Sequence, residues 1–180
     1  ANALPPIVVT SLGIDIDVEE DKDTFEEKGI GLLVTVPGAA GGVKYIPKMS
    51  EREVHQIIDE LIVDLGQLDR LLPGGYLFMT DLLGNPDLMN RVGKVFASAF
   101  ANQQIDVIMT VATKGISIAH AIARHLNVPV VVVRRDSKVT EGSTVSINYV
   151  SGSSRRIQTM VLSKRSMKSG QRVLITDDFM

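Results

Sequence analysis

The chain of 180 residues contains no cysteine and no tryptophan. Without cysteine it can form neither disulfide bonds nor cysteine-based metal sites, and it cannot use a cysteine nucleophile. Its longest apolar runs, such as IDVIMTVA and VPVVVV, are far too short to span a bilayer. The N-terminal stretch ANALPPIVV has no basic residue, so a secretory signal is not expected. These absences predict a soluble cytoplasmic protein that does not bind membranes.

Charge is distributed unevenly along the chain. Residues 1–27 contain eight acidic residues and one basic residue, whereas residues 134–172 contain nine basic and two acidic residues. Two solvated surfaces of opposite sign would explain this distribution. Alternatively, the basic tract binds an anion, which would be either a phosphate-rich ligand or nucleic acid.

Hydrophobic patterns divide the chain into two parts. Residues 29–47 contain two strand-like runs around a glycine-rich turn, which predicts a β-hairpin. From residue 50 onward, amphipathic helices alternate with continuously apolar strands, and a further strand is expected around YLFMT. Such strands are buried on both faces, so the sequence predicts an α/β fold with a parallel sheet and helices on both faces. Residues 135–171 are polar and interrupt this order, and a long basic hairpin is expected there.

Capping residues mark the starts of two helices. Ser50 and Glu53 have the spacing of a capping box. Asn85 precedes Pro86, which is the favoured order of an N-cap residue and a first helical residue. Helices are therefore expected to begin directly after Ser50 and Asn85.

Polar or charged residues follow three of the predicted strands. Residues 112–115, with the sequence ATKG, follow IDVIMTV, Arg134 and Arg135 follow VPVVVV, and Asp177 and Asp178 follow VLIT. The carboxyl ends of parallel strands lie at one edge of a sheet, which is where ligands bind in such folds. We therefore expect these residues to share one site.

The acidic pair and the ATKG loop each allow two interpretations. Asp177 and Asp178 repel each other unless ribose hydroxyls, a Mg²⁺ ion or nearby basic side chains stabilise them. Alternatively, Asp178 caps a following helix and Asp177 is solvated. The ATKG loop is either a tight turn that Gly115 permits or an anion site, because Lys114 and free N–H groups at a helix N-terminus both favour an anion.

Several longer segments resemble one known family. VLITDDFM resembles the beginning of the phosphoribosyl pyrophosphate (PRPP) motif of type I phosphoribosyltransferases. In addition, GIGLLVTVPGAAGGVKYIPKM, LLPGGYLFMTDLLG, IMTVATKGI, KVTEGSTVSINYVSGSS and RIQTM resemble, in this order, the bacterial purine operon repressors. The resemblance covers roughly residues 24–180. Members of that family join an N-terminal winged-helix DNA-binding domain to a phosphoribosyltransferase-like domain.

The resemblance implies a fold and a function. The expected fold is a type I phosphoribosyltransferase-like sheet preceded by a partial winged helix. Residues 1–48 would be the remnant of the DNA-binding domain, with the wing at about 29–47, and residues 49–180 would bind the effector and dimerise. The implied function is repression of purine biosynthesis genes by a homodimer that binds operator DNA. PRPP, with or without Mg²⁺, and guanine nucleotides such as ppGpp would control DNA binding. No catalytic residue, resident metal or cofactor is implied.

The resemblance also implies particular site residues. The implied effector-binding residues are Tyr76, Ala112, Thr113, Lys114, Gly115, Arg134, Asp177, Asp178 and Phe179. In this set the acidic pair contacts the ribose hydroxyls, the loop and Arg134 contact phosphates, and the two aromatic residues contact the base or ribose. A cis peptide bond is expected at Thr113–Lys114. The implied DNA-binding residues of the wing are Pro37, Gly38, Gly41, Gly42, Lys44 and Tyr45. The segment 135–163 corresponds to the flexible loop of the fold.

The chain departs from the family pattern at both ends. Residues 1–23 do not resemble a helix-turn-helix, and their acidic character is unfavourable beside DNA phosphates. The loop that binds the 5′-phosphate, which should follow the acidic pair, is absent, so a chain truncated at its C-terminus is expected. Two other interpretations stay open. The protein could be an active xanthine-type purine phosphoribosyltransferase, or a dimerisation module whose site is lost.

Overall fold

The computed structural model describes residues 8–11, 14–17, 25–36, 42–135, 142–150 and 157–178. The strands are β1 (Val8–Ser11), β2 (Ile14–Asp17), β3 (Gly31–Val36), β4 (Gly42–Pro47), β5 (Leu71–Leu72), β6 (Tyr76–Leu77), β7 (Val107–Val111), β8 (Val130–Val133), β9 (Thr144–Val150), β10 (Ile157–Ser163) and β11 (Val173–Ile175). The helices are α1 (Glu51–Leu65), α2 (Thr80–Gly84), α3 (Pro86–Ala99) and α4 (Gly115–Leu126). None of the helices in these ranges is long and apolar enough to cross a membrane.

The central sheet is parallel, with the strand order β11-β7-β8. Val107 and Ile108 of β7 are completely buried, as the unbroken apolar run predicts. Beyond β8, Arg134 exchanges two backbone hydrogen bonds with Val161 of β10, at 3.0 and 2.7 Å. The β9–β10 hairpin predicted within 135–171 is therefore attached to the sheet at this point. The predicted α/β fold class is confirmed.

Both predicted helix starts are present. Ser50 Oγ accepts the Glu53 N–H at 3.3 Å, and the Glu53 carboxylate accepts the Ser50 N–H at 2.9 Å, which completes a capping box at α1. Asn85 Oδ1 accepts the N–H groups of Asp87 and Leu88 at 3.0 and 3.1 Å, so α3 is capped as predicted. These caps satisfy backbone donors that the helices themselves leave unpaired.

A core of small and branched side chains joins α3 and α4 to the sheet. The buried members of this cluster are Ile46, Ala97, Ala101, Ile108, Ala119, Ile122, Ala123 and Leu126. The helices approach so closely that a Cβ added at Gly93 of α3 would lie 2.5 Å from the backbone carbonyl of Ala121 in α4. Because α4 begins at the ATKG loop, this contact fixes the helix that borders the predicted site.

The predicted wing hairpin is present as β3 and β4, paired antiparallel from Gly31–Pro47 to Val36–Gly42. Its base is anchored to the α/β core, because Ile46 belongs to the core cluster and the Met49 N–H donates to Ser98 Oγ at 2.8 Å. The predicted domain boundary after residue 48 remains a prediction.

Of the predicted wing residues, only Gly42, Lys44 and Tyr45 lie within the described residues, all on β4. Pro37, Gly38 and Gly41 lie outside them. The Tyr45 hydroxyl donates to the Ile30 carbonyl at 2.9 Å. Burial lowers the pKa of Lys44, although the negative charge of Asp106 opposes this shift.

The segment around YLFMT differs from the expected sheet strand. Only Tyr76 and Leu77 are extended, and they pair with β5 in a short hairpin that is separate from the central sheet. The guanidinium of Arg70 fixes this hairpin, since it donates to both oxygens of Asp81 at 2.8 Å and to the Phe78 carbonyl at 3.1 Å. The helix α2 begins soon afterwards, at Thr80.

Candidate functional site

The three polar strand ends lie at the same edge of the sheet, because β7, β8 and β11 run parallel. Between the ends of β7 and β8 lies an open cavity of about 480 Å³, lined by Ala112, Thr113, Lys114, Arg134 and Arg135. Four of these residues belong to the implied effector site. Arg135 is not among the residues that the resemblance implies, but its position after a buried strand predicted that it would lie at this edge of the sheet.

The ATKG loop is fixed to the neighbouring strand. The Ala112 N–H donates to the Val133 carbonyl of β8 at 2.8 Å. A cis peptide bond joins Ala112 and Thr113. The expectation of a cis bond at Thr113–Lys114 is therefore wrong by one residue. Lys114 lies directly before α4, so its positive charge lies at the N-terminus of this helix.

Gly115, the first residue of α4, brings the acidic segment against the loop. A Cβ added at this glycine would overlap Asp177 Oδ1 and Thr110 Oγ1, and it would lie 3.1 Å from the Asp177 Cα. Gly115 is therefore required by close approach, because any larger residue would displace the Asp177 carboxylate. This contact places Asp177 beside the loop residues that line the cavity.

The acidic pair is only partly stabilised. The Asp178 N–H donates to Asp177 Oδ1 at 3.0 Å. Burial raises the pKa of Asp177, although the hydrogen bond from the Asp178 N–H opposes this shift. Within the described residues, Asp177 forms no ion pair. Its half-buried position argues against the alternative in which this carboxylate is freely solvated. A ligand whose hydroxyl groups donate hydrogen bonds to Asp177 would stabilise the charged form of this carboxylate.

The remaining implied residues lie elsewhere or cannot be placed. Tyr76 is 67% exposed on β6 and is not among the residues that line the cavity. Phe179 lies outside the described residues. The loop residues, Arg134 and Asp177 thus come together, whereas Tyr76 does not join them. The ligand contacts of all these residues stay predictions.

Thr110 was not predicted to belong to the site. It is 1% exposed, and its hydroxyl has no hydrogen-bond partner within the described residues. It borders the space that Asp177 Oδ1 occupies beside Gly115. The only signal in the sequence was a polar residue inside the apolar run IDVIMTV.

Two family models match the chain in order. The model described as "Phosphoribosyl transferase domain" matches residues 79–180, and the cavity lies within this range. The chain therefore belongs to the phosphoribosyl transferase domain family. The model described as "Bacterial purine repressor, N-terminal" matches residues 13–47, so the similarity begins before residue 24. This second match and the relatives below show a similarity to the bacterial purine repressors.

Similar curated proteins include regulators and enzymes. The "Purine biosynthesis transcriptional repressor PurR" of Bacillus subtilis (strain 168) is 64% identical over 167 residues, which cover 93% of this chain and 59% of that protein. The "Purine biosynthesis transcriptional activator PurR" of Lactococcus lactis subsp. lactis (strain IL1403) is 46% identical, with 96% of this chain and 64% of that protein covered. A "Xanthine phosphoribosyltransferase" of Lachnoclostridium phytofermentans is 30% identical, with 67% and 65% covered. The chain thus spans about six tenths of the length of these regulators.

A solved structure supports the fold. The adenine phosphoribosyltransferase of Saccharomyces cerevisiae, solved with an imino-altritol bisphosphate and adenine, superposes with a TM-score of 0.56 at 22% identity. The superposition covers 67% of this chain and 70% of that one. At this identity the likeness concerns the fold alone.

Proposed function

We propose that the chain is a transcriptional regulator of purine biosynthesis in which PRPP, bound at the cavity beside the ATKG loop, controls affinity for operator DNA. Relatives named as transcriptional repressor and as activator both support regulation. The higher identity to the repressor favours repression.

One observation carries the effector proposal, namely the placement of basic and acidic groups at one sheet edge. Lys114, Arg134 and Arg135 offer cations to a pyrophosphate group. Asp177 offers acceptors to ribose hydroxyls directly beside Gly115. PRPP carries both chemical groups, and no resident metal or cofactor is needed to hold it, although Mg²⁺ can accompany the pyrophosphate. Guanine nucleotides such as ppGpp carry diphosphate groups and a ribose hydroxyl, so they should compete for the cavity.

A calorimetric titration of the protein with PRPP tests this proposal. Lys114→Ala removes charge-assisted hydrogen bonds, each worth about 1.5–3 kcal/mol, so the affinity should fall about ten- to hundredfold. Lys168→Ala is the matched control, because Lys168 is an exposed lysine on the loop before β11. Equal affinities of both variants and the wild type would contradict the proposal. Addition of ppGpp should displace PRPP.

The proposed DNA-binding element is the β3–β4 hairpin together with the N-terminal segment. The match of residues 13–47 to the repressor N-terminal model supports this assignment. Lys44→Ala should weaken operator binding and reduce its dependence on salt concentration, because a phosphate contact contributes about one released counterion. A gel-shift titration at several salt concentrations, with operator and scrambled duplexes, measures both effects. An unchanged salt slope would argue against a phosphate contact by Lys44.

The proposed homodimer is supported by large apolar side chains exposed on α1 and the segment that follows it. Ile62, Val63, Leu68 and Leu71 are each at least 60% exposed. Apolar side chains so concentrated on a surface are typical of an interface. Leu68→Glu should shift the protein from dimer to monomer in analytical ultracentrifugation. A dimer unaffected by this change would place the interface elsewhere.

A second candidate function is a purine phosphoribosyltransferase of the xanthine type. The relative with 30% identity over 126 residues favours it, since the same cavity could position PRPP for attack by a base. Incubation with PRPP and xanthine separates the two functions. A regulator should bind PRPP without forming nucleotide, whereas an enzyme would release pyrophosphate and xanthosine monophosphate.

A further inference from the structure

The buried hydroxyl of Thr110 lies beside the proposed effector site, and the role given to it here rests on the proposed function. Thr110 is on β7, the middle strand of the central sheet, and is 1% exposed. Its Oγ1 atom has no hydrogen-bond partner within the described residues. A buried hydroxyl without a partner costs free energy, so each such group calls for an explanation.

The position of this hydroxyl suggests its partner. A methyl group at Gly115 would overlap both Thr110 Oγ1 and Asp177 Oδ1, so the two oxygens border the same small space. A carboxylate oxygen accepts more than one hydrogen bond, and Asp177 Oδ1 accepts only the Asp178 N–H within the described residues. The described geometry does not form this hydrogen bond, so a small movement of the Thr110 or Asp177 side chain must bring the hydroxyl to this acceptor.

We propose that Thr110 is a positioning residue of the effector site, whose hydroxyl donates to the ionised Asp177 carboxylate and holds it in the orientation that binds ribose hydroxyls. A hydrogen bond from this hydroxyl would stabilise the charged form of Asp177, because the hydroxyl is a neutral donor on the buried side of the carboxylate. Lys114, Arg134 and Arg135 border the adjoining cavity, Asp178 lies on the same segment as Asp177, and β7 itself has no ionisable side chain.

Two substitutions separate the hydroxyl from the shape of the side chain. Thr110→Val keeps the shape and removes the donor, whereas Thr110→Ser keeps the donor. The valine variant should bind PRPP about tenfold more weakly than the wild type in calorimetry, and the serine variant should bind almost normally. Thr35→Val, at an exposed position of β3, is the control.

A second readout does not depend on PRPP. In ¹³C NMR of the ligand-free protein, the carboxyl of Asp177 should titrate at a higher pH in the valine variant, because the donor to its charged form is lost. Wild-type affinity and an unchanged Asp177 titration in the valine variant would overturn the inference, as would equally weak binding by the serine variant. If the wild type does not bind PRPP, the proposed function fails, and the NMR titration still decides the link between Thr110 and Asp177. If the valine variant does not fold, Thr110→Ala carries the same expectations.

Discussion

Gly93→Ala should destabilise the protein by disturbing the contact between α3 and α4. The added Cβ would lie 2.5 Å from the carbonyl carbon and oxygen of Ala121 and 2.9 Å from its Cβ. Two of these atoms belong to the backbone of a buried helix, so they cannot rotate away, and the helices must separate. Overpacking of this kind costs about 1–3 kcal/mol. Alanine recovers up to about 1 kcal/mol of helix propensity. We therefore expect a net loss of about 1–2 kcal/mol.

Thermal unfolding monitored by circular dichroism measures this loss. At roughly 2–4 °C per kcal/mol for a chain of this size, the midpoint should fall by about 2–8 °C. Gly84→Ala is the matched control, because nothing lies within 4 Å of a Cβ at the end of α2. This control should be neutral or slightly stabilising. If Gly93→Ala unfolds at the same temperature as Gly84→Ala, the helices do not approach as closely as described.

Three further predictions concern charge and pH. PRPP affinity should fall as the pH is lowered, starting above the ordinary aspartate range of about 3.9, because burial raises the pKa of Asp177 and the protonated form loses acceptor strength. Asp177→Asn should remove this pH dependence along with most of the affinity. Burial lowers the pKa of His125, so the unfolded state binds the proton more tightly and stability should decline as the pH falls through about 6.5. In denaturant titrations, the free energy of unfolding should therefore depend more strongly on pH in the wild type than in His125→Gln. Arg70→Ala should free the β5–β6 hairpin from Asp81, which faster amide exchange of Leu72 and Leu77 would reveal.

Local chemistry made part of the fold predictable. The caps at Ser50 and Asn85 depend on side chains within three residues of the helix start, so their spacing is visible in the sequence. The position of the candidate site was predictable from the topology of the parallel sheet. Once continuous apolar runs indicate parallel strands, the residues after those strands must meet at one edge, and Lys114 and Arg134 do line one cavity.

Other features depend on packing that no local pattern reveals. The proposed role of Thr110 depends on its buried position beside Asp177, which lies more than sixty residues further along the chain. The need for glycine at position 93 comes from the backbone of α4, which hydrophobic periodicity does not reveal. The short extended run at Tyr76 was predicted as a sheet strand because its apolar residues resemble one. Tertiary contacts, rather than its own sequence, decide that it pairs with β5.

The cavity beside the ATKG loop is proposed to bind a ribose-phosphate effector. A crystal structure of the protein grown with PRPP tests this proposal most directly. We predict that the pyrophosphate will lie against Lys114, Arg134 and Arg135, with the ribose hydroxyls hydrogen-bonded to Asp177. PRPP bound elsewhere on the protein, or an empty cavity at PRPP concentrations that saturate binding in solution, would contradict the account.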